Sequence, residues 1–196
     1  MLCFHGFGMH GKQFRELEPE LGNKYTFWGF DLFFHKDTKL KDQSLNTIKT
    51  GLTKKALASL ILEFCKAHDI QCFSVIGYSM GTHYATTIVE ELPEMIHEYI
   101  VAAPSSIKPG NIIRFFSRSK FGNKIIEKVS LSKNTMVNML NMFKRARFID
   151  TEGHRILLNE IDTYELRFNL YASITYLRFL ITDEPKLIFV LNNHPI

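Results

Sequence analysis

Cysteine is scarce in this chain, and what there is does not pair. Cys3, Cys65 and Cys72 are an odd number without paired spacing, which excludes a disulfide framework. Cys3 and Cys72 fall in stretches that read as buried strands, where a thiol serves as a small hydrophobe, and this usage points to a reducing cytoplasm. Long apolar runs are missing too: no stretch comes near the ~20 residues that a membrane span needs. The first ten residues lack a basic start, and His5, Gly6 and Gly8 break any apolar run, so no signal peptide is expected. No group of His, Cys, Asp or Glu has metal-ligand spacing, and neither a metal nor a cofactor is expected. Charge of one sign is in short supply: a formal +4 over 196 residues makes no case for nucleic acid. Internal repeats and low-complexity linkers are absent.

What is present is a chain long enough to bury a core, with 45% hydrophobic and 13% aromatic residues, which argues against disorder. Its most informative stretch is Gly77-Tyr78-Ser79-Met80-Gly81. The run Cys72 to Ile76 before it reads as a strand. Thr82 to Leu92 after it reads as a helix with Ala85, Ile88 and Val89 on one side, stopped by Pro93. Reversing direction in so few residues puts the serine on a strained turn with its hydroxyl exposed, and the glycines permit close backbone approach. Upstream, Leu2-Cys3-Phe4 runs into a second glycine turn, His5-Gly6-Phe7-Gly8. The N–H of Phe7 and that of Met80 could there form an oxyanion hole.

The two motifs, in this order and context, resemble the α/β-hydrolase superfamily over roughly residues 1–106. Glu98 to Pro104 looks like that family's next strand, and Tyr25 to Asp31 like the strand that ends in an aspartate. Strands at 1–5, 24–31, 72–76 and 98–103 alternate with helices near 12–21, 52–69 and 82–92, with a polar loop from His35 to Thr50. The fold class expected is α/β: a parallel sheet of α/β-hydrolase type, with helices on both faces and a helical lid insertion. Phe7, Asp31 and Ser79 all fall at carboxyl ends of strands, where such sheets carry their sites.

The domain reading is a partial core at 1–106, a helical lid at 107–181 and a return to the core at 182–196. Lid helices are expected near 110–118, 120–130, 132–148, 152–160 and 161–181. Between Ile107 and Arg147 stand ten basic residues against Glu127 alone, interleaved with apolar ones. This is a solvated lid exterior, a surface for weak contact with an anionic membrane, or an attractant for an anionic substrate. In the tail, Leu187 to Leu191 reads as a short buried strand, since Ile188, Phe189 and Val190 are poor helix formers. The alternative is a helix capped by Thr182, with Asp183, Glu184 and Pro185 in its first turn.

The resemblance implies a serine hydrolase of esters, thioesters or related acyl compounds, with Ser79 as nucleophile and Phe7 and Met80 as oxyanion donors. The nucleophile then needs a histidine and an orienting carboxylate, in the family order serine, acid, histidine. Downstream stand His83, His97, His154 and His194, and Asp150, Asp162 and Asp183, none well placed. His83 is on the serine's own helix. His97 and Asp183 precede strands, and His154, Asp150 and Asp162 lie in the lid. His194 takes the place where the family has its acid. The resemblance therefore implies acid and histidine beyond Ile196, earlier strands before Met1, and an open sheet edge. A ligand- or partner-binding relative without catalysis, or an inactive fragment, are the other readings. His5 shapes its turn in this view, while His10 and His35 could line a pocket mouth. Gly6, Gly8 and Gly11 fit a bare dinucleotide spacing with Asp31 as ribose partner, a weak match that leaves the serine turn unexplained.

Overall fold

The computed structural model describes residues 1–105 and 119–196. The chain divides into two compact units: Met1–Gly110 with Leu177–Ile196, and Asn111–Tyr176. The first unit is built on a parallel sheet of four strands: β1 (Leu2–Phe4), β2 (Trp28–Phe30), β3 (Phe73–Tyr78) and β4 (Ile96–Ala102), in the order β2-β1-β3-β4. Phe4 lies opposite Phe30 on one side and Gly77 on the other, and Gly77 lies opposite Val101. The carboxyl ends of the strands are thus brought level.

Every crossover is helical, as a parallel sheet demands. A 3₁₀ turn at Gly11–Leu17 and α1 (Glu18–Leu21) join β1 to β2. Helices α2 (Leu45–Thr50) and α3 (Lys54–Ala67) lead to β3, and α4 (Gly81–Glu91) leads to β4. Both faces of the sheet are covered. Phe4 stacks between Phe30 and Tyr84, at 5.2 and 5.7 Å, with Ile88 and Val89 of α4 buried beside them. On the opposite face Met1 and Cys3 pack with Phe14. Burial lifts the Cys3 thiol to about 12, so it is an inert core group.

The structure differs from the sequence expectations at several points. Cys72 is exposed, standing just before β3 rather than in it. The strand expected at 24–31 is only Trp28–Phe30. The polar loop contains α2, whose cap Ser44 accepts from Thr47 N–H at 3.3 Å and whose Ile48 is fully buried. The largest correction is the tail, where Leu187 to Leu191 is not a strand but part of a helix, Glu184–Asn193. Asp183, not Thr182, caps it, accepting from Lys186 N–H at 3.2 Å, and Pro185 sits in the first turn, where its missing N–H costs nothing. Leu187 and Val190, three residues apart, are buried, and the helix packs on α4. Its start is fixed by charge: Asp183 N–H donates to Glu90 at 2.8 Å and Lys186 pairs with Glu91 at 2.7 Å. Ile188, Phe189 and Leu191 are left exposed, which a strand buried on both faces would not allow.

The second unit contains α5 (Lys120–Leu131), α6 (Lys133–Arg145), α7 (Thr151–Glu160) and α8 (Tyr164–Tyr176), so the C-terminal helix of the chain is α9. The helix expected to run to 181 stops at Tyr176, and the one near 110–118 lies outside the described residues. Met136, Leu140 and Ile161 form the unit's apolar centre. Asn123 of α5 accepts from the Tyr171 hydroxyl and donates to Thr175, both at 3.0 Å, joining α5 to α8 through buried polar groups. No helix among the described residues is long and apolar enough to cross a membrane.

Candidate active site

Ser79 follows the last residue of β3 directly and has φ 49°, a left-handed backbone that costs a non-glycine residue roughly 1–2 kcal/mol. Its surroundings fix that conformation from both sides. The Ser79 N–H donates to Ala102 O at 2.9 Å. Its carbonyl accepts from Thr82 N–H at 3.0 Å, from the Thr82 hydroxyl at 2.6 Å and from the Ser105 hydroxyl at 2.9 Å. The turn can be this tight because α4 starts against β1: a Cβ on Gly81 would fall 1.9 Å from Phe4 O. On Gly77 it would fall 2.9 Å from the Ala85 methyl. Ser79 is half-buried, and among the described residues its Oγ has no hydrogen-bond partner. Thr82 and Ser105 are the supports that sequence reasoning missed, although a hydroxyl in the first turn of the serine's helix is a readable signal for the former.

The glycine turn after β1 lies beside this elbow, with Gly6 against the Tyr78 ring. His5 is fully buried; its Nδ1–H donates to Gly6 O at 2.7 Å and its Nε2 accepts from Leu32 N–H at 3.0 Å. Both nitrogens are thereby committed to one neutral tautomer, and burial presses the imidazole pKa down to about 4. His5 is therefore a brace for the turn and has no lone pair to offer a nucleophile. His35 braces it from outside, accepting from Gly8 N–H at 3.2 Å while its Nδ1 meets Phe33 O at 3.0 Å. Asp31 accepts from Gly11 N–H at 2.7 Å, so one of its oxygens is spent holding the loop rather than facing a ribose. The N–H groups of Phe7 and Met80 meet no hydrogen-bond acceptor among the described residues. Backbone donors left open near a serine hydroxyl can receive a developing negative oxygen.

The residues considered as base or acid are engaged elsewhere. His83, on α4, is half-buried and donates from Nδ1 to Leu180 O at 2.8 Å; desolvation lowers its pKa. His97 is in the amino-terminal half of β4, and His194 caps α9 with Nδ1 3.6 Å from Glu94. Glu94 precedes β4, so His194 stands at the opposite end of the sheet from Ser79. In the helical unit His154 meets Asn141 at 2.9 Å, Asp150 caps α7, and Asp162 pairs with Lys133 at 2.6 Å. Asp183 caps α9. His10 is half-buried and its Nδ1 has no partner among the described residues. No histidine nitrogen among the described residues is in hydrogen-bond reach of Ser79 Oγ.

A cleft of about 680 Å³ opens at the amino ends of the strands, lined among others by Trp28, His68, Cys72 and His97. It is the wrong end for Ser79. Beside it Glu98 accepts from the Tyr25 hydroxyl at 2.5 Å, from Ser74 at 2.8 Å and from Lys24 at 3.1 Å, which together hold its carboxyl down to about 2. That cluster locks β3, β4 and the entry to β2 together.

Residues 1–136 match the family model described as alpha/beta hydrolase fold. Among solved structures, MGS-M2, an alpha/beta hydrolase enzyme from a Medee basin deep-sea metagenome library, superposes with a TM-score of 0.58 at 16% identity, covering 92% of this chain and 63% of that one. The serine hydrolase CCSP0084 from the polyaromatic hydrocarbon-degrading bacterium Cycloclasticus zankles gives 0.56 at 15% identity, over 98% of this chain and 68% of the other. An epoxide hydrolase of the alpha/beta hydrolases superfamily, from metagenomes of hot environments, gives 0.52 at 14% identity, over 89% and 61%. At these identities the likeness shows the fold alone. This chain spans under two thirds of the length of the first of these proteins. No curated protein sequence matches the chain.

Proposed function

The chain belongs to the alpha/beta hydrolase fold family, and from that premise we propose that it is a serine hydrolase of carboxylic ester, thioester or related acyl substrates. The observation that carries this reading is the strained Ser79 at the β3–α4 junction, beside two backbone N–H groups with no acceptor among the described residues. In this reading Ser79 Oγ bonds to the acyl carbon and loses its proton. The carbonyl oxygen becomes an oxyanion held by the Phe7 and Met80 amides. The carbonyl then reforms, the alcohol or thiol leaves carrying a proton, and water later releases the acid and restores the hydroxyl. From its place in the chain, between β4 and the return at Leu177, we infer that the helical unit takes part in selecting the acyl group.

One observation favours a second reading, ligand binding without turnover: each histidine and aspartate considered for the triad is committed elsewhere or distant in the sheet. Reaction with a fluorophosphonate separates the two. Hydrolysis predicts one adduct, on the peptide carrying Ser79, and its loss in Ser79→Ala together with turnover of a 4-nitrophenyl ester. Ester turnover equal in the variant and the wild type would sink the assignment. An acyl-chain ligand held without any adduct would establish the second reading instead.

A further inference from the structure

The turn between α6 and α7 is built to present a mixed cationic and apolar surface. After Arg145 the helix closes in a Schellman arrangement: Arg147 N–H donates to Lys144 O and Phe148 N–H to Phe143 O, both at 3.0 Å. Arg147 takes the left-handed position at φ 61°, where glycine is the usual residue. The Phe148 ring meets Phe143 edge-on at 6.2 Å, which fixes its direction, yet Phe148 remains 79% exposed. Met142, one turn back on α6, is 57% exposed. Lys144, Arg145 and Arg147, in the same short stretch of chain, are all exposed. The ion pairs Lys133 with Asp162 and Arg155 with Glu152 use none of the three cations. The adjacent Asp150 spends its Oδ1 on the Gly153 amide.

An aromatic ring and a thioether held in water are costly, and among the described residues no carboxylate forms an ion pair with these three cations. The α6–α7 connection is the end of a packed helical hairpin. A surface of this chemistry suits an occupant that is flat, negatively charged and apolar just beneath the charge. We propose that this turn is a docking surface for an anionic lipid bilayer, with Phe148 and Met142 entering the headgroup–acyl boundary and Lys144, Arg145 and Arg147 meeting lipid phosphates and carboxylates. The assignment is independent of Ser79, since it concerns where the chain sits rather than what it cleaves.

Co-sedimentation of the full chain with phosphatidylcholine vesicles, with and without phosphatidylserine, tests it. Binding is expected only where phosphatidylserine is present, and it should weaken as salt rises. Each removed cation should weaken it about fivefold, so Lys144→Glu with Arg145→Glu and Arg147→Glu should lose a hundredfold or more. Phe148→Ser alone should lose about tenfold at an unchanged unfolding midpoint, because the ring is exposed in the folded chain. Equal binding to both vesicle types, no binding to either, or charge-reversed variants that bind like the wild type would each overturn the proposal.

Discussion

Ser79 holds its left-handed backbone through four hydrogen bonds and two glycines, not through its own preference. The strain belongs to the backbone, so replacing the hydroxyl should not relieve it. Ser79→Gly is accordingly expected to be about 1 kcal/mol more stable than Ser79→Ala in urea unfolding, although both lack the hydroxyl. His5 carries the other prediction at this scale. Its folded pKa near 4 lies below the ordinary 6.5. Between those values the unfolded chain binds a proton that the folded chain does not. Stability therefore falls as pH drops from 6.5 towards 4, and the loss is complete below that. His5→Asn, which cannot titrate, should flatten the dependence of the urea midpoint on pH across that window. His83, also lowered by burial, should leave a residual slope of the same sign. At this scale the sequence was informative, since the glycine spacing and the hydroxyl between a strand and a helix state a steric requirement locally. The His35–Gly8 bond was not legible, because it joins loops 27 residues apart.

Among the elements, the parallel strands and α3 and α4 were readable from apolar runs, helical spacing and the glycine or proline that bounds them. The tail was not. A short apolar run carries no period that separates strand from helix. What decides for α9 is Glu90 and Glu91, more than ninety residues earlier, which bind the Asp183 amide and Lys186. Glu90 itself is buried, paired with Lys54, and raised in pKa by desolvation. Asp183→Ala should cost about 1 kcal/mol, read as faster amide exchange at Leu187 and Val190. A return to strand in that variant would show that the cap selects the element. At the carboxyl end of α6, Arg147→Gly should stabilise the chain by about 1 kcal/mol, because the left-handed residue then costs nothing sterically. An unchanged or lower midpoint would mean the arginine makes contacts that offset its strain.

For the molecule as a whole, strand order and level carboxyl ends bring the turns carrying Phe7 and Ser79 together, although they are 72 residues apart in the chain. The sheet and its glycine turns could be inferred because each strand-to-turn unit is a local pattern. A triad partner could not be found in the same way, as it is fixed only by where the chain returns in space. Here His83, His154 and His194 turn to Leu180, Asn141 and Glu94. The most direct test of the account is a crystal structure of the chain after reaction with a fluorophosphonate. The account predicts phosphorus on Ser79 Oγ, with the phosphoryl oxygen about 2.7–3.1 Å from both the Phe7 and the Met80 nitrogens. A phosphoryl oxygen turned to solvent, with those two amides bonded elsewhere, would contradict it.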